Sequence, residues 1–331
     1  MLRHMTIEFL AAVLYGAIAA AAAPAAAPIT LGFVTSYYTM YASIGGGPVH
    51  RVQLDTGSLG LFVPKNVLGP DARVSSTERC TINYVSSGNI LSGYRATARV
   101  TLLGKLASGD VNPPPSTVEM PLCAVDTPAT FKGGMMGVGF GRGDLRRNVL
   151  LQMEDVVSGK VRAGYILGTH PQPHVVIGLD ASHAEGFQKI RLKADESRNG
   201  DWHRDSLRGC ISLPNNPHFA LECGRLLVDT GISSCILWGP RDPTLGGTVP
   251  DGETTVPKGV AVEIRPEGLD RGLKYTFLAG APPNSPSSVR IRNATTFSIN
   301  TGRNLLLDYD YLFDAAGGYV GFRLWAVNGV R

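Results

Sequence analysis

Short apolar runs, broken every few residues by glycine, proline or asparagine, make up most of this chain, and their periodicity is that of strands. Tyr37-Tyr38-Thr39-Met40-Tyr41-Ala42-Ser43-Ile44 is aromatic and β-branched and stops at Gly45-Gly46-Gly47-Pro48, which predicts a strand followed by a turn. Residues 80–103 read as a long hairpin turning at Ser86-Ser87-Gly88-Asn89. Met135-Met136-Gly137-Val138-Gly139-Phe140 is a further strand, and 304–314 with 319–322 form a closing pair. One stretch has a different period. From Asp144 to Val157, Leu150, Met153 and Val157 recur at helical spacing, with an aspartate start and Gly159 just past the end, so an amphipathic helix is expected there. The fold class is mostly β.

One phrase occurs twice in this pattern. Val52-Gln53-Leu54-Asp55-Thr56-Gly57-Ser58 and Leu226-Leu227-Val228-Asp229-Thr230-Gly231-Ile232 are apolar runs that end in Asp-Thr-Gly and resume as Leu61-Phe62-Val63 and Cys235-Ile236-Leu237. A carboxylate on a glycine turn between buried strands is expensive to desolvate unless neighbours hydrogen-bond it. Repeating that arrangement 174 residues apart, about one lobe's length, implies two lobes that each bring one acid to a shared axis.

Composition narrows the function classes. The 331 residues include 40 glycines and 22 prolines, with only 18% charged, which fits strands and turns. Net charge is +4, and no basic run exceeds Arg146-Arg147, so a nucleic-acid partner is not expected. Residues 1–28 carry Arg3 and His4 ahead of an alanine-rich apolar stretch broken by Pro24 and Pro28. That stretch is too short to span a membrane and reads as a cleaved export signal, so no stable membrane insertion is expected. About a dozen residues separate the expected signal cut from the first strand.

The five cysteines contain no Cys-x-x-Cys pair, and in an exported chain disulfides are the default. Cys210 and Cys223 are opposed when residues are counted inward along a hairpin turning at 215–218, which makes them one bridge. Cys80 with Cys123 is the second, and Cys235 remains as a buried thiol at the position matching Leu61. The histidines show no His-x-x-x-His pairing on a helix. His170 and His174 lie in a proline-rich loop, so no metal or other cofactor is expected. Gly137–Gly143 is glycine-rich but lacks the Lys-Ser/Thr of a phosphate loop, and no Gly-x-Ser-x-Gly elbow marks a serine hydrolase.

The two Asp-Thr-Gly phrases, the 80–103 hairpin, Met135–Phe140 and the closing strand pair together resemble the pepsin-like aspartic proteases over residues 30–325. That resemblance implies a bilobal acid-protease fold, with an N-terminal lobe at 29–185 and a C-terminal lobe at 186–331. It implies a monomeric endopeptidase acting on extended polypeptides, with Asp55 and Asp229 as the catalytic pair and Thr56, Gly57, Ser58, Thr230 and Gly231 supporting them. The hairpin becomes a flap over the cleft, with Tyr84 as its substrate-facing tyrosine and Tyr94 as the alternative.

Three departures from that pattern bear on function. Ile232 stands where the family has Ser or Thr, which predicts one donor fewer on Asp229 and activity extending toward weakly acidic pH. Phe62 replaces a tryptophan that would anchor the flap tyrosine, and Tyr84 is followed by Val85-Ser86-Ser87-Gly88 instead of Gly-Thr-Gly. The alternative function is therefore a catalytically silent binding or inhibitor protein of the same fold.

Overall fold

The computed structural model describes residues 27–325, except for the stretches 33–37, 107–108, 111–113, 127–130, 132, 171, 199, 216–220, 241–246, 249–253, 270–271 and 282–284. The segment expected to be an export signal lies almost wholly outside the described residues, as does most of the turn expected at 215–218. The fold is mostly β, arranged in an eight-stranded, a nine-stranded and a six-stranded sheet and one small two-stranded ribbon.

The eight-stranded sheet is drawn from residues 39–138 and the nine-stranded sheet from 208–300, and their centres are built alike. In the first, the strand His50–Asp55 does not pair with its successor Leu59–Pro64. Gly134–Val138 inserts between them, parallel to the former and antiparallel to the latter. In the second, Ser298–Asn300 inserts in the same way between Glu222–Leu227 and Cys235–Gly239. The next neighbours also match, since Met120–Val125 runs parallel to Leu59–Pro64 and Val289–Asn293 runs parallel to Cys235–Gly239. This strand insertion forces each Asp-Thr-Gly turn to arch over the end of the intruding strand, so both acids are presented at the same edge of their sheets.

The six-stranded sheet joins the two halves. Its order is Ile29–Gly32, His174–Leu179, Arg162–Gly168, Tyr309–Asp314, Tyr319–Leu324 and Gln188–Arg191. The expected boundary at residue 185 falls in the loop before Gln188–Arg191, inside this shared sheet. Its seam is apolar: Tyr165 packs edge-on against Phe313 with centroids 5.6 Å apart, and Phe140 stacks on Phe313 at 5.3 Å. The Tyr165 hydroxyl donates to the carbonyl of Val138 at 2.8 Å, which satisfies the one polar atom that burial would otherwise strand. Leu54, Leu61, Met136, Leu226, Leu237 and Ile299 are all buried in one continuous core below the two turns. Removing a side chain such as Leu54 by Leu54→Ala would cost about 2–5 kcal/mol.

The helix expected from Asp144 to Val157 does not form as one element. The segment comprises two 3-10 turns, Leu145–Arg147 and Val149–Gln152, and one α-turn, Glu154–Val157. Asn148 breaks it. Its Nδ2 donates to Val138 O at 2.7 Å while its Oδ1 accepts from the amides of Leu150 and Leu151, so the backbone at Asn148 is held extended and the helix restarts. The apolar spacing still buries Leu150 and Met153, although Val157 is exposed.

Both expected disulfides are present, Cys80–Cys123 and Cys210–Cys223. Cys210 and Cys223 are direct register partners, as counting along the hairpin implies. Two disulfides are compatible with an extracellular location. Cys235 is fully buried, and burial pushes its thiol up to about 12. No helix among the described residues is long and apolar enough to cross a membrane.

Candidate active site

Asp55 and Asp229 meet. Both are nearly inaccessible, at 3% and 4%, at the floor of an open cleft of about 660 Å³ between the two halves. The glycine of each turn makes the approach possible. A Cβ on Gly57 would collide with the carboxylate of Asp229, and one on Gly231 would lie 2.7 Å from Asp55 Oδ1. Each glycine is thus the clearance for the opposite half's acid.

The threonines lock the two turns together. Thr56 N–H donates to Thr230 Oγ1 and Thr230 N–H donates to Thr56 Oγ1, both at 3.0 Å. Each hydroxyl donates onward across the interface, Thr56 to Val228 O at 2.6 Å and Thr230 to Leu54 O at 2.7 Å. The hydroxyl and the N–H of each threonine are thus paired within the protein, as buried polar groups require. Gln53 adds a clamp from one side, with its Nε2 donating to Thr230 O at 3.2 Å and Gly231 O at 3.1 Å.

Each carboxylate receives a backbone donor and a side-chain donor. Gly57 N–H donates to Asp55 Oδ1 at 2.7 Å and Ser58 Oγ to Asp55 Oδ2 at 2.5 Å. Gly231 N–H donates to Asp229 Oδ1 at 2.9 Å. The second donor to Asp229, which Ile232 cannot supply, comes from Asn300, whose Nδ2 lies 2.6 Å from Asp229 Oδ2. The amide's orientation is fixed because its Oδ1 accepts from Gly302 N–H at 2.9 Å. The expectation that Asp229 is one donor short is therefore corrected, because the inserted strand delivers the missing group from 71 residues away.

Burial first, then the charge of Asp55, pushes the carboxyl of Asp229 well above the usual carboxylate range, against the opposing pull of the Asn300 and Gly231 donors.

The hairpin Arg73–Tyr84 and Asn89–Ala98 turns at 85–88 and overhangs the cleft. Tyr84 lines the cleft; Tyr94 is not among its lining residues and instead lies against Arg79 and Lys65. Tyr84 sits edge-on to Phe62, with centroids 6.4 Å apart. Its buried hydroxyl has no hydrogen-bond partner among the described residues. The turn is held from the other half: Arg292 Nη1 donates to Val85 O at 2.8 Å, and Arg290 Nη1 to Ser86 O at 3.4 Å.

Sequence reasoning missed Gln53, Asn300 and the two flap arginines. Gln53 had a signal, a polar side chain inside an apolar run two residues before the aspartate. The others act across strand insertion or across the cleft, where sequence neighbours give no hint. Among the described residues, the one grouping with metal-ligand spacing is Cys210, Cys223 and Glu267, and its cysteines are tied up in a disulfide. Compared with known proteins, the chain matches no family model and no curated protein sequence.

Proposed function

We propose that this chain is an exported, two-lobed aspartic endopeptidase of the pepsin-like class, which hydrolyses extended polypeptides in the cleft between its halves. The observation that carries this reading is the facing pair Asp55 and Asp229, each buried, each doubly hydrogen-bonded, and tied together by reciprocal threonine bonds.

Such a pair activates water without a nucleophilic side chain. The ionised member of the pair takes a proton from a water seated between the acids, while the protonated member donates its proton to the substrate carbonyl as the oxygen gains charge. Sharing one proton between the two is what the handicap of like charges at close range produces, and it leaves one base and one acid ready in the same resting state. Ser58 and Asn300 hold the outer oxygens so that the inner ones face the water. Tyr84 and the overhanging turn would close on a bound strand and exclude solvent.

The two donors on Asp229 weigh against one of the three grounds for the alternative of a silent binding protein, the one drawn from Ile232; Phe62 and the altered flap sequence are the others. Digestion of denatured casein between about pH 3 and 7 by wild type and by Asp55→Asn tests the reading, with a statine-type inhibitor as a transition-state probe. Cleavage that is blocked by the inhibitor and absent in Asp55→Asn supports the enzyme. Equal inactivity of both folded proteins overturns it.

A further inference from the structure

Two cations line the cleft beside the acids, Arg142 and Arg147. Neither guanidinium has an ion pair or a hydrogen-bond acceptor among the described residues. Elsewhere arginines are paired: Arg162 with Asp314, Arg208 with Glu267, Arg323 with Asp310. The cleft's other charged lining groups are the dyad itself, which carries one net negative charge when it shares a proton. The pocket is therefore net positive with two unused guanidinia, each offering a planar fork of donors that matches a carboxylate.

Both side chains stand on prepared frames. Arg142 projects from a turn whose three successive amides, those of Gly141, Arg142 and Gly143, all donate to the carboxylate of Asp201 at 2.8–3.0 Å. Asp201 is 2% exposed and also accepts from Trp202 N–H, so its charge is consumed by the backbone and none is left for Arg142. Arg147 lies against Gly60, where an added Cβ would sit 2.8 Å from its Nη2, and its guanidinium is 6.0 Å from the centroid of Phe62. A half-buried guanidinium resting on a ring face and a glycine has lost water without gaining an acceptor.

We propose that the cleft selects polypeptides bearing an aspartate or glutamate side chain near the scissile bond, received by the guanidinia of Arg142 and Arg147. This rests on the endopeptidase reading, and it names the substrate class for the same site. A carboxylate entering the cleft would make charge-assisted, bidentate bonds with these guanidinia.

The test uses the full chain and peptides blocked at both ends, with glutamate or glutamine placed in turn at each position around an apolar pair, at about pH 6, where glutamate is ionised. At one or two positions, kcat/KM for glutamate should exceed that for glutamine about tenfold. The ratio should shrink with added salt, fall toward one in R147Q or R142Q, and survive in part in the corresponding lysine variant. A ratio near one in wild type, or a ratio unmoved in both glutamine variants, overturns the proposal. A preference seen only with a free C-terminal carboxylate also overturns it, since the acid would then be the chain end.

Binding of the same fluorescent peptides to Asp55→Asn, followed by anisotropy, separates this proposal from the endopeptidase reading. If both peptides are cleaved alike, the protease reading stands and the acidic preference falls. If neither is cleaved yet glutamate peptides still bind more tightly, the preference stands and the protease reading falls.

Discussion

The two halves solve one problem in two ways. In the first half, the donors to Asp55 come from its own turn, two and three residues downstream at Gly57 and Ser58. In the second, the turn supplies Gly231 alone, and the other donor, Asn300, arrives on the strand that inserts beside it. Met135 occupies the corresponding place in the first half, pairing with Gln53 as Asn300 pairs with Leu227. Backbone topology was kept while side-chain chemistry moved from turn to strand. The constraint thus falls on the number and direction of donors at the carboxylate, and which residue provides them is free to change.

The largest effect expected from breaking the pair is on catalysis. Asp55→Asn and Asp229→Asn should each lower kcat by about 10²–10⁴-fold or more, read with a single peptide substrate, and the double variant should be little worse than either. A clearly additive double variant would mean that the acids do not work as one unit. Next comes the lock between the halves. Thr56→Val or Thr230→Val leaves buried carbonyl and amide groups unpaired and should destabilise by about 1–3 kcal/mol for each orphaned group, seen as a lower denaturation midpoint. The two losses should be strongly non-additive in a double-mutant cycle, because each threonine's amide depends on the other's hydroxyl.

The comparison also marks what could be read in advance. The paired acids and the supporting glycines and threonines were legible because Asp-Thr-Gly packs most of the local device into three consecutive residues, although the clearance each glycine gives the opposite acid appears only in the structure. Cys210 and Cys223 were legible because strand register counts evenly from a turn. The Asp144–Val157 helix misled because apolar spacing reports which side chains are buried but not that Asn148 diverts the amides of Leu150 and Leu151 to its own side chain. Asn300 was invisible for a different reason. Strand insertion places it beside Asp229 through pairings between segments distant in sequence, and neighbouring residues carry no trace of that.

Exchanging the two solutions sharpens the comparison further. Asn300→Leu removes a donor to the charged form of Asp229, so its pKa should rise further, and the alkaline limb of the pH–rate profile should move up by about one unit. Adding Ile232→Thr should bring the limb back, since a hydroxyl three residues after Asp229 reproduces the Ser58 arrangement; failure of that rescue would leave Asn300 a merely structural residue. Folding stability carries the same signature with a defined sign. Because the folded-state pKa of Asp229 is raised, the native protein holds this proton more tightly than the unfolded chain. Its stabilising contribution is complete below about pH 4 and is lost as pH rises through the raised value. Melting temperature should accordingly fall over that range in wild type and fall less in Asp229→Asn.

The smallest effect concerns the overhanging turn, where the halves touch away from the acids. Arg292 donates to Val85 O at 2.8 Å, and with Arg290 at Ser86 O it ties the hairpin of one half to the strand Val289–Asn293 of the other. These are partly solvated contacts, so Arg292→Ala should change stability by less than about 1 kcal/mol. Its consequence belongs to dynamics. Lifting the turn away from the far wall would break these bonds. Weakening them should speed hydrogen exchange at the amides of 84–89 while leaving the threonine turns protected. If exchange at both sites rises together, the tie supports the whole interface; if only the hairpin responds, the turn moves as its own unit over a rigid pair of acids.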